Sequence, residues 1–459
     1  MSAGVAPANV TMVAVAAGVA IGAIYTLSPV TVLAIVVGVL VAERLSRDLG
    51  PEERRWFFWI LGIALVLRLA LIAGLFATAS ADRPMATFFG DEELFKSRPI
   101  WIRNIGLGIP VSAADFIYAY DETGRSGYLF VLAVLQAFVG DMPYSIHVVN
   151  AVVYLGGALL LHRIARASFG ALPAMGGLVV LLFFPSLFAW SISALKEPLY
   201  VLVAAVELWC VLQVVRGRTW PARLAALVAL VICAIMLESL RKGGSQVAAA
   251  GAIVGIVAGL IVPRPKLLLA SAIVAPIALV AVLQVPRVQD RVLTVVRDSV
   301  RYHAGHVLTV GYTYQLVNPH YYWNWEAIFK IGPAEAAQYV SRATVRYFVE
   351  PLPWVQRSRA MLAYVPEQAA WWTLLLIVPV GIAAALKADA LLASALLAHA
   401  AAIVMMVALT SGNIGTLIRH RGLVLPYLVW IAALGGCWLL ERFTQHTRIA
   451  GSRDADGDR

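Results

Sequence analysis

The stretch "GYLFVLAVLQAFVGDMPYSIHVVNAVVYLGGALLLHRIARASFG", residues 127–170, holds two apolar runs of unequal length. A hydrocarbon core about 30 Å thick needs roughly 20 apolar residues of helix to cross it. The second run, 143–162, meets that length and is followed by Arg163 and Arg166. The first, 127–139, falls short, and its spacing predicts a helix lying on the outer surface or half-inserted. Working outward with the same ruler predicts about twelve spans, near 9–27, 29–43, 56–79, 143–162, 172–189, 197–215, 222–240, 246–262, 267–285, 371–386, 390–410 and 422–440.

Composition agrees. The chain has 459 residues, 61% of them hydrophobic and 14% charged, with a mean hydropathy of +0.81. Soluble domains carry about 25% charged residues. The expected architecture is therefore one all-α polytopic membrane domain over 1–445, with outer-face juxtamembrane helices in two long loops, 80–142 and 286–370. The polar tail 446–459 is expected to be disordered. The net charge of +10 does not call for nucleic acid, because the basic residues sit in short clusters between apolar runs. Cys210, Cys233 and Cys437 lie within apolar runs without metal-ligand spacing and read as packing residues. No basic region precedes the first apolar run, so that run is expected to be retained rather than cleaved.

Those basic clusters also set the orientation. Arg44, Arg47, Arg54 and Arg55, Arg163 and Arg166, Arg216, Arg218 and Arg223, Arg264 and Lys266, Lys387, and Arg442 and Arg448 fall on one side if the spans alternate. That side is expected to be cytoplasmic. Both termini are then inside a bacterial-type inner membrane, and both long loops are outside. Five cations break the rule by falling outside: Lys196 in "SISALKEPLY", Arg241 and Lys242 in "LESLRKGGSQ", and Arg419 and Arg421 in "GNIGTLIRHRG". An anionic ligand held at the outer leaflet would account for them.

The acids of "GDEELF", 90–95, stand on the same side. A solvated loop start is the plain reading of that motif. The chemical reading is sugar transfer from a lipid phosphate. A carboxylate takes the proton of the attacking acceptor hydroxyl, and cations stabilise charge on the departing phosphate. Asp91 is the candidate base and Glu92 its helper, orienting the acceptor or holding the aspartate ionised. Lys196, Arg241, Lys242, Arg419 and Arg421 are the candidate donor-phosphate ligands. No metal and no cofactor are expected. Glu207 and Arg68 are intramembrane charges that also read as packing residues with polar partners. His303, His306 and His320 are better suited to a structural or acceptor-binding role than to metal, and the aromatics of 311–332 to interfacial anchoring than to sugar stacking.

The 127–170 segment resembles the part that follows the first outer loop in family-39-like membrane glycosyltransferases of the GT-C class, relatives of dolichyl-phosphate-mannose protein mannosyltransferases. There an aromatic-led helix ends in Phe-x-Gly, and the next span ends in a basic turn closed by Phe-Gly. "FFPSLFAWSISALKEPLYVLVAAVELW", 183–209, is similar to that family's next helix pair. "GDEELF" falls where the family keeps an acidic pair, so Asp91 matches its catalytic aspartate and Glu92 the neighbour. The likeness covers roughly 56–215; the hairpin 9–43 is an addition, and 286–370 lacks a large soluble domain. It implies an inverting transferase that takes a polyprenyl-phosphate sugar to a glycan, lipid or protein hydroxyl at the outer face, among membrane lipids. Two other classes remain open: a polysaccharide polymerase or ligase using a diphosphate-linked oligosaccharide, and a flippase or transporter of lipid-linked sugar.

Overall fold

The computed structural model describes Gly18 and residues 29–78, 91–120, 126–140, 143–309, 311–355 and 359–457. The expected first span, 9–27, lies outside the described residues apart from Gly18. Among the described residues there is no strand, only one isolated antiparallel bridge between Thr313 and Asn413. The helices begin with α1 (Pro29–Leu45), α2 (Pro51–Ala77), α3 (Glu92–Gly106), α4 (Ala113–Tyr120), α5 (Gly127–Val139) and α6 (Pro143–Phe169). They continue with α7 (Ala171–Phe183), α8 (Pro185–Ser191), α9 (Glu197–Arg216), α10 (Trp220–Leu240), α11 (Gly244–Ile261), α12 (Pro265–Leu283) and α13 (Pro286–Val307). The last are α14 (His320–Trp323), α15 (Trp325–Ile328), α16 (Pro333–Val349), α17 (Arg359–Ala388), α18 (Ala390–Thr410), α19 (Ile414–Arg421) and α20 (Leu425–Gly457). Helix α20 thus runs through most of the tail for which the sequence predicts no structure.

Eight of these helices are long and apolar enough to cross a membrane, and ten spans result if the bent pairs α7–α8 and α19–α20 each count as one. The chain is built as a multi-pass membrane protein. The expected count of twelve is not reached among the described residues. Helix α1 has 17 residues, about 25 Å at 1.5 Å per residue, which is shorter than the bilayer core. Helix α5 has 13, too few to cross, as the sequence predicts. The 65° bend between α7 and α8 falls at Phe184–Pro185. Proline lacks an N–H and drives the residue before it out of the helical region, and Phe184 is extended, with ψ 126°.

The chain divides into two compact units. The first comprises Met1–Leu160, Leu187–Ala205 and Ser239–Arg241; the second comprises Leu161–Ser186, Val206–Glu238 and Lys242–Arg459. In the second unit α11 packs on α18 along the glycines of "GAIVGIVAG", 251–259. A Cβ on Gly251 would stand 2.3 Å from the His399 ring, one on Gly255 2.7 Å from Ala395 Cα, and one on Gly259 2.8 Å from Leu391 Cα. Small residues let two backbones meet where lipid offers no hydrophobic driving force. The contact also makes room for His399, whose Nε2 lies 2.8 Å from Glu207 Oε1, with both side chains buried. At one end of this unit Asp389 receives Ser168 Oγ at 2.5 Å and Arg216 at 2.5 Å, joining the ends of α6 and α9 to the α17–α18 turn. Alternating spans require those three ends to share a side.

Gly255→Leu is expected to lower stability by about 1–3 kcal/mol through overpacking. His399→Leu should cost about 3–5 kcal/mol, because Glu207 is left as a lone buried acid. Replacing Glu207 and His399 together by leucine should recover most of that loss, and thermal melting of the purified variants in detergent measures all three.

Candidate active site

The acidic motif opens α3, whose first turn holds Glu92 and Glu93 and whose last holds Arg103. Both ends suit the helix dipole. The burial pattern is inverted relative to a water-facing amphipathic helix: Glu92, Lys96 and Arg98 are buried while Leu94 is exposed. Ile102, farther along α3, packs with Ala119 of α4 and with Leu129 and Ala133 of α5. The core thus takes the charged face of α3 along with its apolar end. Asp91, at the N-cap position, is exposed.

Glu92 has no solvent exposure, and its Oε2 accepts the Ala194 N–H at 2.8 Å. One helical turn on, Lys96 is also buried, its Nζ 5.8 Å from the Phe76 ring centroid. Burial pulls the Lys96 ammonium pKa down, and the carboxylates of Glu92 and Glu93 push it back up. Arg98 lies over the Tyr118 ring at 4.5 Å.

Ala194 belongs to the irregular turn between α8 and α9, which carries Lys196. Residues 192–195 of this turn are buried. Four successive carbonyls are met by side chains. His147 Nδ1 lies 2.7 Å from Ile192 O, Asn150 Nδ2 donates to Ser193 O and Leu195 O at 2.8 Å each, and Tyr128 Oη donates to Ala194 O at 3.4 Å. Asn150 Nδ2 also donates to Tyr128 Oη at 2.9 Å. Burial raises the Tyr128 phenol well above its ordinary range, and nearby Glu197 and Glu92 add to the shift while Asn150 opposes it. At Gly127, beside Tyr128, a Cβ would come within 2.3 Å of Ser239 Oγ, two residues before Arg241. The first unit therefore joins Glu92 to the 192–196 turn at one polar junction of α3, α5 and α6, with Asp91 next to Glu92 in the chain, Lys196 ending the turn and Arg241 two residues beyond Ser239.

The remaining predicted residues, Lys242, Arg419 and Arg421, belong to the second unit. Lys242 Nζ is 3.3 Å from Tyr302 Oη. The N-terminus of α11 beside it is closed by the chain's own Glu238, which accepts from the N–H groups of Gly243 and Ser245 and from Ser245 Oγ. Arg421 is buried in a cage, donating to Gln368 Oε1 at 2.8 Å, to Tyr347 O at 2.5 Å and to Glu350 O, with Trp371 under its guanidinium at 4.8 Å. Arg419 is half-buried. Gly412 approaches the α13 backbone, where a Cβ would meet His303 O at 2.5 Å. The N-terminus of α19 is capped by the Asn413 side chain.

Two of the three histidines of the second loop are held by hydrogen bonds to protein groups. His303 Nδ1 lies 2.7 Å from Ser411 O and its Nε2 3.1 Å from Tyr322 Oη; His306 Nδ1 lies 2.7 Å from Thr410 O. Of the loop aromatics, Tyr314, Tyr321 and Tyr322 are buried, while Trp323, Trp325 and Phe329 are exposed. Sequence reasoning missed Lys96, His147 and Asn150. Two signals pointed to them: Lys96 stands four residues after Glu92, and Asn150 interrupts an otherwise apolar run.

Burial holds the His303 pKa down at about 4. Because the unfolded imidazole takes its proton near pH 6.5, stability is fully present above that pH. It falls by about 1.4 kcal/mol per pH unit as pH drops from 6.5 towards 4. Melting temperatures across that range should show the decline, and His303→Gln should flatten it.

Compared with protein-family models, curated proteins and solved structures, the chain matches none.

Proposed function

We propose that this chain is an integral membrane glycosyltransferase that moves a sugar from a polyprenyl-phosphate donor to an acceptor hydroxyl at the outer face. The observation that carries this reading is the Glu92–Ala194 hydrogen bond. It anchors the acid-bearing end of α3 to the turn that presents Lys196. Asp91 is left exposed beside a buried, fixed neighbour, a suitable place for a base that must meet a mobile acceptor. The acceptor oxygen attacks the anomeric carbon as its proton passes to Asp91, and the sugar–phosphate bond breaks with inversion. Both bonding electrons leave with the phosphate, whose charge Lys196 and Arg241 stabilise. Glu92 positions rather than reacts, since its carboxylate is buried against backbone. Arg421 holds α19 to the end of α16, because both of its terminal nitrogens donate to protein acceptors.

A second reading, transport of lipid-linked sugar, is favoured by the Glu207–His399 pair. It joins two membrane-spanning helices near their midpoints, and ionisable pairs there mark ion pathways in carriers.

Asp91→Asn keeps the size of the side chain and removes the base. Transfer of radiolabelled sugar by the purified protein should fall by about 10²–10⁴-fold, with donor binding retained. Full activity in that variant sinks the base assignment. If the wild type shows no transfer but moves lipid-linked sugar across proteoliposomes, and Glu207→Gln abolishes that movement, the transport reading replaces it.

A further inference from the structure

The turn over Ile192–Leu195 is buried, irregular and free of helical pairing, yet its four carbonyls all have partners. One side chain meets two of the four directly. Asn150 Nδ2 stands within 2.9 Å of three acceptors, two of them turn carbonyls and the third the Tyr128 hydroxyl that serves another. An amide nitrogen has only two hydrogens, so the three acceptors share them. Asn150 sits in the first third of α6 and is itself buried. The residue after the pinned turn is Lys196, and the next, Glu197, starts α9.

We propose that Asn150 is a positioning residue for Lys196: by fixing the backbone of 193–195 it sets where the ammonium group stands relative to the acid-bearing end of α3. The ligand that this ammonium would receive is the donor phosphate, so that part rests on the functional reading above. The positioning itself does not. His147 and Tyr128 support the same turn at one carbonyl each, whereas Asn150 bridges two.

The test uses the full-length purified protein and two readouts. The first is the rate at which an amine-reactive reagent modifies Lys196, followed by mass spectrometry. Asn150→Ala should change that rate several-fold, and Tyr128→Phe, a milder variant that keeps the ring, should change it less and in the same direction. The second is binding of polyprenyl monophosphate in a double-mutant cycle. Asn150→Ala should weaken binding about tenfold in the wild-type background and less than twofold when Lys196 is already Gln, because groups acting as a unit are non-additive. An unchanged Lys196 labelling rate in both Asn150→Ala and Tyr128→Phe overturns the proposal. So does an equal loss of binding in the two backgrounds, since Asn150 would then serve the fold alone. If labelling shifts as expected but Lys196→Gln by itself leaves binding intact, the positioning stands and the donor-phosphate role of Lys196 falls.

Discussion

A peptide group buried away from water must find a hydrogen-bond partner, and inside a bilayer it has only the protein to supply one. Three departures from regular helix among the described residues answer to that requirement. Between α8 and α9 the chain leaves the helix for five residues, and side chains from three other helices meet its carbonyls and one amide. At the α10–α11 turn Glu238 satisfies the N–H groups that begin α11, and Gly243, at φ +88°, supplies the left-handed residue that lets the chain double back. Between α18 and α19 the work is divided between Asn413 and the Ser411 carbonyl, which receives His303 and Tyr314. The polar residues that looked scattered in sequence are those that make broken helices tolerable.

The same constraint governs the charges. Arg68 lies wholly buried in α2, but it donates to Ser191 Oγ at 2.7 Å and to Ala64 O at 3.0 Å, and the Phe188 ring faces its guanidinium at 4.4 Å. Arg421 is enclosed in the same manner, by carbonyls, an amide and a tryptophan face. An arginine among apolar residues is thus a cross-link as much as a charge, because its fork of donors reaches several acceptors at once. This separates the cations that stood on the unexpected side. Arg421 is buried against protein acceptors, whereas Lys196 and Arg241 are half-buried in the first unit.

Much of the fold was legible because hydrophobic length is a local property. Nine predicted spans from 143 onward each fall on a helix or a bent pair, and the short run 127–139 forms a helix too short to cross. The acidic motif was legible as a place, since three acids after an apolar run stand out, but not as a division of labour. Nothing in "GDEELF" tells which acid is buried. That is decided by the register of α3 against α5 and by the backbone of residue 194, about a hundred positions away. Asn150 and His147 were hidden for the same reason: their partners are carbonyls, which leave no mark on a sequence. The glycine contact of α11 with α18 was visible as a four-residue spacing, and only the facing helix gives it meaning.

Helix α12 has no buried residue along its whole length, though it is among the most apolar spans, with a hydropathy of 2.4. A segment with no buried residue gains little packing from the finished bundle. During synthesis, then, its entry into the lipid is decided by its own partition free energy and not by later assembly. It can enter alone, before the helices on which the following amphipathic α13 rests have been made.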